Sequence, residues 1–225
     1  MTRAKRAPDP LVDHRVDQAG RPLGPRALQT RQRLLEVTEE LLGRSPVREI
    51  PVVEIARQAG TSPATFYQYF KDVSEATLCL AEQAAEELPA VVALLEGPWE
   101  GLRGLDTARA VVRAFARHWE VHRAVLLLRN LASDQGDRRF YAVRLNSHRA
   151  LLERLEERVA SSLAAGQIAP GLNPKAAAAA LVSLLERLGA HQRGLEPFGV
   201  SRDEFLEAAA RILFQTLSGR AAPED

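Results

Sequence analysis

The chain has 225 residues, of which 46 % are hydrophobic and 26 % are charged, as in packed globular proteins. Its formal net charge of +1 excludes a surface that is strongly basic throughout, so any nucleic-acid contact must be local. A single cysteine, Cys79, excludes an intrachain disulfide framework and fits a reducing compartment. No apolar run resembles a signal peptide or a membrane span. We therefore expect a cytoplasmic protein that makes no membrane contact.

Residues 1–25 are rich in proline, glycine and charged side chains, which predicts a flexible arm. Residues 1–33 contain eight basic and three acidic residues, a net charge of +5 (8 − 3). Such an arm could follow DNA phosphates or simply remain solvated, and the sequence leaves both alternatives open.

Helical patterns begin after this arm. A first helix is predicted from Arg26 to about Gly43, and a second from about Pro51 to Gly60. Thr61 or Ser62 can cap a third helix, which has to be short because Asp72 is a suitable cap for a fourth helix over 73–95.

The remainder of the chain is also predicted to be helical. Further helices are expected near 106–132, 137–165, 173–193 and 201–217. The first of them is expected to break near Glu120. Asn173 and Pro174 form a cap-plus-proline start for the third, and Ser201 with Glu204 forms a capping-box pattern at the start of the last. No strand pattern is evident. The predicted class is all-α, with an N-terminal three-helix helix-turn-helix domain joined to a larger C-terminal helical bundle.

Four aromatic residues fall within five positions of the third helix, although the chain has only seven Phe, three Tyr and two Trp. Phe66 and Phe70 are four apart and share one face, and Tyr69 lies at its border. The opposite face is small and polar, which is what a recognition helix needs in the major groove of DNA. The predicted DNA contacts from this region are Thr61, Ser62, Ala64, Thr65, Tyr67, Gln68 and Tyr69.

The stretch VVEIARQAGTSPATFYQYF resembles the DNA-binding motif of the TetR family of bacterial transcriptional regulators. The matching positions are Glu54, Ile55, Ala56, Ala59, Gly60, Ser62, Thr65, Tyr67, Tyr69 and Phe70. The resemblance covers roughly residues 26–80. Family members often have a phosphate-binding lysine where this chain has Val73. We assign that phosphate contact to Lys71, whose reach would differ.

The resemblance implies a division into a DNA-binding domain over 26–72 and a ligand-binding and dimerisation domain over 73–225. One recognition helix reads few base pairs, so a homodimer on a palindromic operator in double-stranded DNA is expected. In the family the last two long helices form the dimer surface. The corresponding residues here are Leu181, Leu184, Leu185, Leu188, Phe205, Ala209, Ile212 and Leu213. The alternative is that this apolar face packs only within its own subunit.

The other C-terminal helices are expected to enclose a small, largely apolar effector that releases DNA when it binds. In some family members the ligand is instead required for DNA binding. The expected pocket residues are Trp99, Phe115, His118, Trp119, Leu127, Arg129, Asn130, Phe140 and Tyr141. Packed cores and apolar pockets have the same composition, so the sequence does not distinguish between them.

Signals for other functions are weak. His118 and His122 have metal-ligand spacing on a helix, but no third ligand is evident and we expect no metal. The sequence has no phosphate-binding loop and no nucleophile motif, so we expect neither an enzyme nor a cofactor. The chain is therefore interpreted as a ligand-responsive transcriptional regulator, most simply a repressor. The alternative is a ligand-binding or enzymatic helical protein whose helix-turn-helix is only structural.

Overall fold

The computed structural model describes residues 16–168 and 170–223. Within these ranges the protein is all-α as expected, and the extended backbone pairing consists of one bridge between Val16 and Pro22. The α-helices are α1 (Pro25–Leu42), α2 (Val52–Gln58), α3 (Pro63–Tyr69), α4 (Val73–Ala85), α5 (Leu88–Leu94), α6 (Gly101–Val121), α7 (Arg123–Asp134), α8 (Arg138–Ala164), α9 (Pro174–His191) and α10 (Arg202–Ser218). None of the helices in the described part of the chain is both long enough and apolar enough to cross a membrane.

Side-chain caps fix the starts of three helices where the sequence predicts them. Ser62 and Asn173 accept hydrogen bonds from the third residue of α3 and α9, respectively. Ser201 and Glu204 form the complete capping box of α10. Each cap satisfies a backbone N–H that has no partner inside its helix, so the local sequence sets these boundaries.

The chain divides into two compact units. The described part of the first unit comprises residues 16–85 and 123–146. In its core α1, α3 and α4 enclose buried side chains that include Leu34, Leu35, Phe66 and Phe70. The second unit comprises residues 86–122 and the described residues from 147 onward. There α6 lies in the middle and packs against α5, α9 and α10.

Two predicted helix boundaries are wrong. The predicted fourth helix is divided into α4 and α5 at residues 86–87. Pro89 lies in the first turn of α5, and proline removes a backbone donor and disfavours helical continuation through the preceding residues. Helix α6 begins at Gly101 rather than near residue 106. Its Gly104 lies so close to Trp99 and Phe214 that a Cβ there would collide with both, so packing holds this glycine in the helix.

Residues 16–24 are not a free arm, which corrects this part of the prediction. The backbone N–H of Gln18 donates to the Gln68 carbonyl over 2.8 Å. Its side-chain amide donates to the Tyr69 carbonyl at 3.2 Å and to the Glu75 carboxylate at 2.9 Å. Gln18 thereby satisfies carbonyl groups at the C-terminal end of α3, where helices lack internal donors. The rest of the predicted arm, residues 1–15, lies outside the described residues.

Candidate functional site

A tight turn joins α2 to α3. Gly60 adopts a left-handed conformation with φ of 68°, which non-glycine residues rarely adopt. The next residue, Thr61, donates its backbone N–H to the Ala56 carbonyl at 2.9 Å. Ser62 then caps α3 through Thr65, and Pro63 fills the first turn. This turn fixes the direction in which α3 leaves α2.

The apolar face of α3 is fully anchored. Phe66 and Phe70 have no exposed surface, and their ring centroids are 5.3 Å apart. Tyr69 is also buried, with 9 % of its surface exposed, because it packs into the core of the first unit. Tyr69, which the helical wheel places at the border between the two faces, therefore belongs to the buried face. We correct its assignment as a direct DNA contact.

The opposite face of α3 remains accessible. Tyr67 is 53 % exposed, and Ala64, Gln68 and Lys71 are exposed as well. Their side chains provide a phenol, an amide and an ammonium group, which can bind phosphates and base edges.

Three predicted contacts lie at the start of α3. Thr61 and Thr65 are half-buried, and Ser62 is exposed. The hydroxyls of Ser62 and Thr65 are 3.0 Å apart and hydrogen bond to each other. The N-terminal end of this face is therefore preorganised by internal bonds.

Val73, which replaces the lysine typical of the resembled motif, is 8 % exposed and belongs to the core. It cannot reach a phosphate. The backbone N–H of the exposed Lys71 donates to the Glu75 carboxylate, which fixes the start of the Lys71 side chain at the end of α3. The position of Lys71 is compatible with the phosphate contact assigned to it.

Arg31 connects three helices behind this face. Its guanidinium lies 5.0 Å from the centroid of the Phe70 ring and donates to the Cys79 sulfur at 3.2 Å. Burial raises the pKa of the Cys79 thiol to about 12, although the charge of Arg31 acts in the opposite direction. Cys79 is thus a protonated, structural thiol, as expected for a buried cysteine.

A charged hydrogen-bond network centred on Glu54 lies within α2. The Glu54 carboxylate accepts hydrogen bonds from Arg57 at 2.6 and 2.9 Å and from Gln58 at 2.6 Å. The bond from Arg57, followed by that from Gln58, lowers the pKa of Glu54 to about 2. Glu54 is therefore ionised at neutral pH and holds the guanidinium of Arg57 along α2.

The predicted effector residues are distributed over both units. Trp99, Phe115, His118 and Trp119 lie in the second unit and are all buried. Leu127, Arg129, Asn130, Phe140 and Tyr141 lie in the first. Of these five, Phe140 and Arg129 are buried, whereas Tyr141 is 52 % exposed. The structure therefore does not bring the nine residues together within one unit.

The second unit contains a polar cluster that the sequence did not reveal. Trp119 donates its indole N–H to a Glu186 oxygen at 3.1 Å, and the Nε2 atom of His148 is 2.9 Å from the same oxygen. Gly189 faces the same indole so closely that a Cβ would be 2.3 Å from its Cδ1 atom. No motif links these residues, because they come from three helices that are distant in sequence.

Most of the predicted dimer residues face inward. Five of them are at most 4 % exposed, namely Leu181, Leu185, Leu188, Ala209 and Leu213. A side chain buried in this way has no surface to offer a partner. We correct their assignment as interface residues. Leu184 and Phe205 are half-buried, and Ile212 is 44 % exposed. These three share the outer surface of α9 and α10 with exposed alanines at 176, 180 and 208.

Comparison with known protein families identifies the class of the protein. Residues 34–74 match the family described as bacterial regulatory proteins, tetR family. Residues 92–224 match the tetracyclin repressor-like C-terminal domain. The second match alone spans more than half of the chain, and the first includes the whole of α3. The chain belongs to the TetR family of bacterial transcriptional regulators.

Solved structures share the fold at low sequence identity. A tetR-family transcriptional regulator from Streptomyces coelicolor is 17 % identical with a TM-score of 0.64, covering 88 % of this chain and 84 % of that one. The fatty acid degradation regulator FadR from Bacillus halodurans is 14 % identical with a TM-score of 0.61, covering 88 % and 97 %. SmeT, the repressor of the Stenotrophomonas maltophilia efflux pump SmeDEF, is 21 % identical with a TM-score of 0.56, covering 84 % and 89 %. Among curated proteins, none matches.

Proposed function

We propose that the protein is a non-enzymatic, ligand-responsive repressor that binds a palindromic operator in the cytoplasm as a homodimer. The observation that carries this proposal is the division of α3 into a buried aromatic face and an exposed polar face. Phe66 and Phe70 hold the helix, while Tyr67 and Gln68 face solvent. A helix held in this way can enter the major groove without losing its packing.

The exposed groups have separable roles in this proposal. Gln68 can bond to an adenine edge, which selects sequence, and Ala64 allows close approach to the groove. Tyr67 and Lys71 bind phosphates, which positions the helix and adds affinity. Docking of Gln18 against the last turn of α3 supports this arrangement, since it holds the end of the helix to which Tyr67 and Gln68 belong.

Dimerisation in this proposal uses the exposed stripe on α9 and α10. Alanines at 176, 180 and 208 permit close helix approach, and Leu184, Phe205 and Ile212 supply apolar surface. Burying such surface contributes about 25 cal/mol per Å². Two copies of α3 can then read half-sites about 34 Å apart, one turn of DNA.

The effector in this proposal is small and largely apolar, and it binds in the second unit. Support comes from the aromatic side chains around α6 and from the Glu186 cluster, which offers an orienting polar group. Two solved relatives are described as a regulator of fatty acid degradation and a repressor of a multidrug efflux pump. Fatty acids, which the first description names, have apolar chains. The effector must bind the DNA-released conformation more tightly than the DNA-bound one to relieve repression.

A binding-site selection tests the proposal. The purified full chain is incubated with a library of random double-stranded DNA, and bound sequences are recovered and sequenced over several rounds. We expect enrichment of an inverted repeat whose half-sites are about one helical turn apart. The absence of any enriched sequence would contradict the regulator function and favour the alternative in which the helix-turn-helix is only structural. Enrichment of a single, non-repeated half-site would contradict the homodimer.

A further inference from the structure

A His–Glu–His cluster lies at one end of α6 in the second unit. His118 and His122 are four residues apart, so both imidazoles lie on the same face, with ring centroids 5.1 Å apart. Glu87 is the residue just before α5, and its carboxylate makes no capping bond to that helix. One carboxylate oxygen lies 3.0 Å from Nε2 of His122 and 3.6 Å from Nδ1 of His118.

These separations match those between the ligands of a tetrahedral metal ion. Zinc binds histidine nitrogen and carboxylate oxygen at about 2.1 Å, which places neighbouring ligands of a tetrahedron about 3.4 Å apart. The two distances from the Glu87 oxygen lie on either side of that value. All three ligand atoms lie within 4.8 Å of one another, so small side-chain rotations suffice to close the site around an ion.

We propose that Glu87, His118 and His122 form a binding site for Zn²⁺ or a similar divalent transition metal, with water in the fourth position. Two imidazole nitrogens and one carboxylate oxygen are typical transition-metal ligands, whereas Mg²⁺ and Ca²⁺ prefer oxygen ligands alone. Three protein ligands with one open position is a common zinc arrangement.

The burial pattern fits this assignment. The side chains of His118 and His122 are 5 % and 13 % exposed, so the protein restricts their orientation. The Glu87 side chain is 58 % exposed, so the site opens to solvent on the carboxylate side and an ion can enter there. A bound ion would join the start of α5 to the last turn of α6 and thereby stabilise the second unit.

The sequence did not predict this site because Glu87 is far from the two histidines along the chain. The spacing of the histidines was recognised, but a third ligand was not. Packing of α5 against α6 brings the carboxylate to them. The inference concerns metal binding alone and is independent of DNA binding.

Calorimetric titration of the full, tag-free protein with ZnCl₂ tests the proposal. We expect saturable binding of one ion per chain and a rise in melting temperature with added metal. Glu87→Gln keeps the size of the side chain, and Glu87 is largely exposed, so this variant is expected to fold. Changes to outer-shell partners alone cost 10–100-fold in metal affinity, so removing this ligand should weaken binding by at least about tenfold. His122→Gln should have the same effect.

Glu86→Gln is the matched control, since Glu86 is the exposed neighbour of Glu87 and lies outside the cluster. It removes the same charge and should bind Zn²⁺ as the wild type does. A second readout is the visible spectrum of bound Co²⁺, which reports the ligand field and should be lost in Glu87→Gln. A hydrogen-bonded cluster that holds no metal would show no saturable binding. That result, or equal binding by the wild type and both ligand variants, would overturn the proposal.

Discussion

At the scale of single residues, two neighbouring tyrosines of α3 have opposite environments. Tyr67 is 53 % exposed, whereas Tyr69 is 9 % exposed and packs in the core of the first unit. Chemically identical side chains in one helix therefore serve different purposes. One is available for contact with a partner, and the other stabilises the unit that presents it.

The two tyrosines should respond differently to truncation. We expect Tyr69→Ala to lower the free energy of unfolding by about 3 kcal/mol, because it leaves a cavity among large apolar side chains. Tyr67→Ala should change the free energy of unfolding by less than about 1 kcal/mol, since its ring is mostly solvated. Urea denaturation followed by circular dichroism measures both. Equal losses in the two variants would contradict the assigned environments.

The Cys79 thiol gives a second residue-scale prediction. Burial raises its pKa from 9.0 to about 12, so near neutral pH it is protonated and shielded. Iodoacetamide should modify the native protein far more slowly than the protein in urea. Equally fast modification of the native and unfolded protein would contradict the burial of Cys79.

The raised pKa also has a consequence for stability at high pH. The folded state holds the Cys79 thiol proton more tightly than the unfolded state. The contribution of this protonated thiol to the free energy of unfolding is therefore complete below about pH 9. It is lost as the pH rises from 9 towards 12. Relative to Cys79→Ala, the wild type should therefore lose stability in this range, as urea denaturation at a series of pH values would show. A constant difference across the range would contradict the raised pKa.

At the scale of helices, side-chain caps account for three helix starts that could be predicted. Ser62, Asn173 and Ser201 start their helices as the sequence indicates, because a side-chain oxygen satisfies a free backbone N–H. These bonds are local and can be recognised in a single sequence. The break before α5 and the early start of α6 depend on Pro89 and on packing around Gly104, and the second of these involves residues distant in sequence.

The capping box of α10 can be tested directly. Ser201→Ala removes the bond to the Glu204 backbone N–H, and we expect it to cost about 1 kcal/mol of stability and to lower the melting temperature. Ser183→Ala is the matched control. The hydroxyl of Ser183 bonds to the Ala179 carbonyl inside α9, and alanine has the higher helix propensity, so its effect should be within about 0.5 kcal/mol. If Ser201→Ala melts like the wild type, the capping bond contributes nothing to stability.

At the scale of the whole molecule, the sequence predicts which residues share a face but not what covers that face. The sequence predicts an apolar dimer face on α9 and α10, yet five of its residues are buried within the subunit by α6. The same limit applies to Tyr69, and to the two histidines, whose third neighbour, Glu87, lies just before α5 and is distant in sequence. Local periodicity and motif spacing predict the helices, including the candidate recognition helix α3. Long-range packing determines which faces of those helices are buried.

The revised dimer surface gives a whole-molecule prediction. Leu184→Glu places a charge on the half-buried edge of α9, and we expect it to convert a dimer into monomers with unchanged helical content. Leu102→Glu is the control, because Leu102 is 52 % exposed and belongs to α6, which contributes no residue to the proposed interface. Sedimentation equilibrium measures the mass of each variant. A dimeric Leu184→Glu variant would contradict the proposed interface.

The most direct test of the central claim is the DNA affinity of Tyr67→Ala, measured by fluorescence anisotropy on the sequence recovered by binding-site selection. Tyr67 is exposed on α3 and contributes little to folding, so we expect affinity at least about tenfold weaker with the dimer intact. Phe198→Ala removes an aromatic ring that is 80 % exposed in the second unit, and it should bind like the wild type. Undiminished binding by Tyr67→Ala would contradict the claim that the exposed face of α3 contacts DNA.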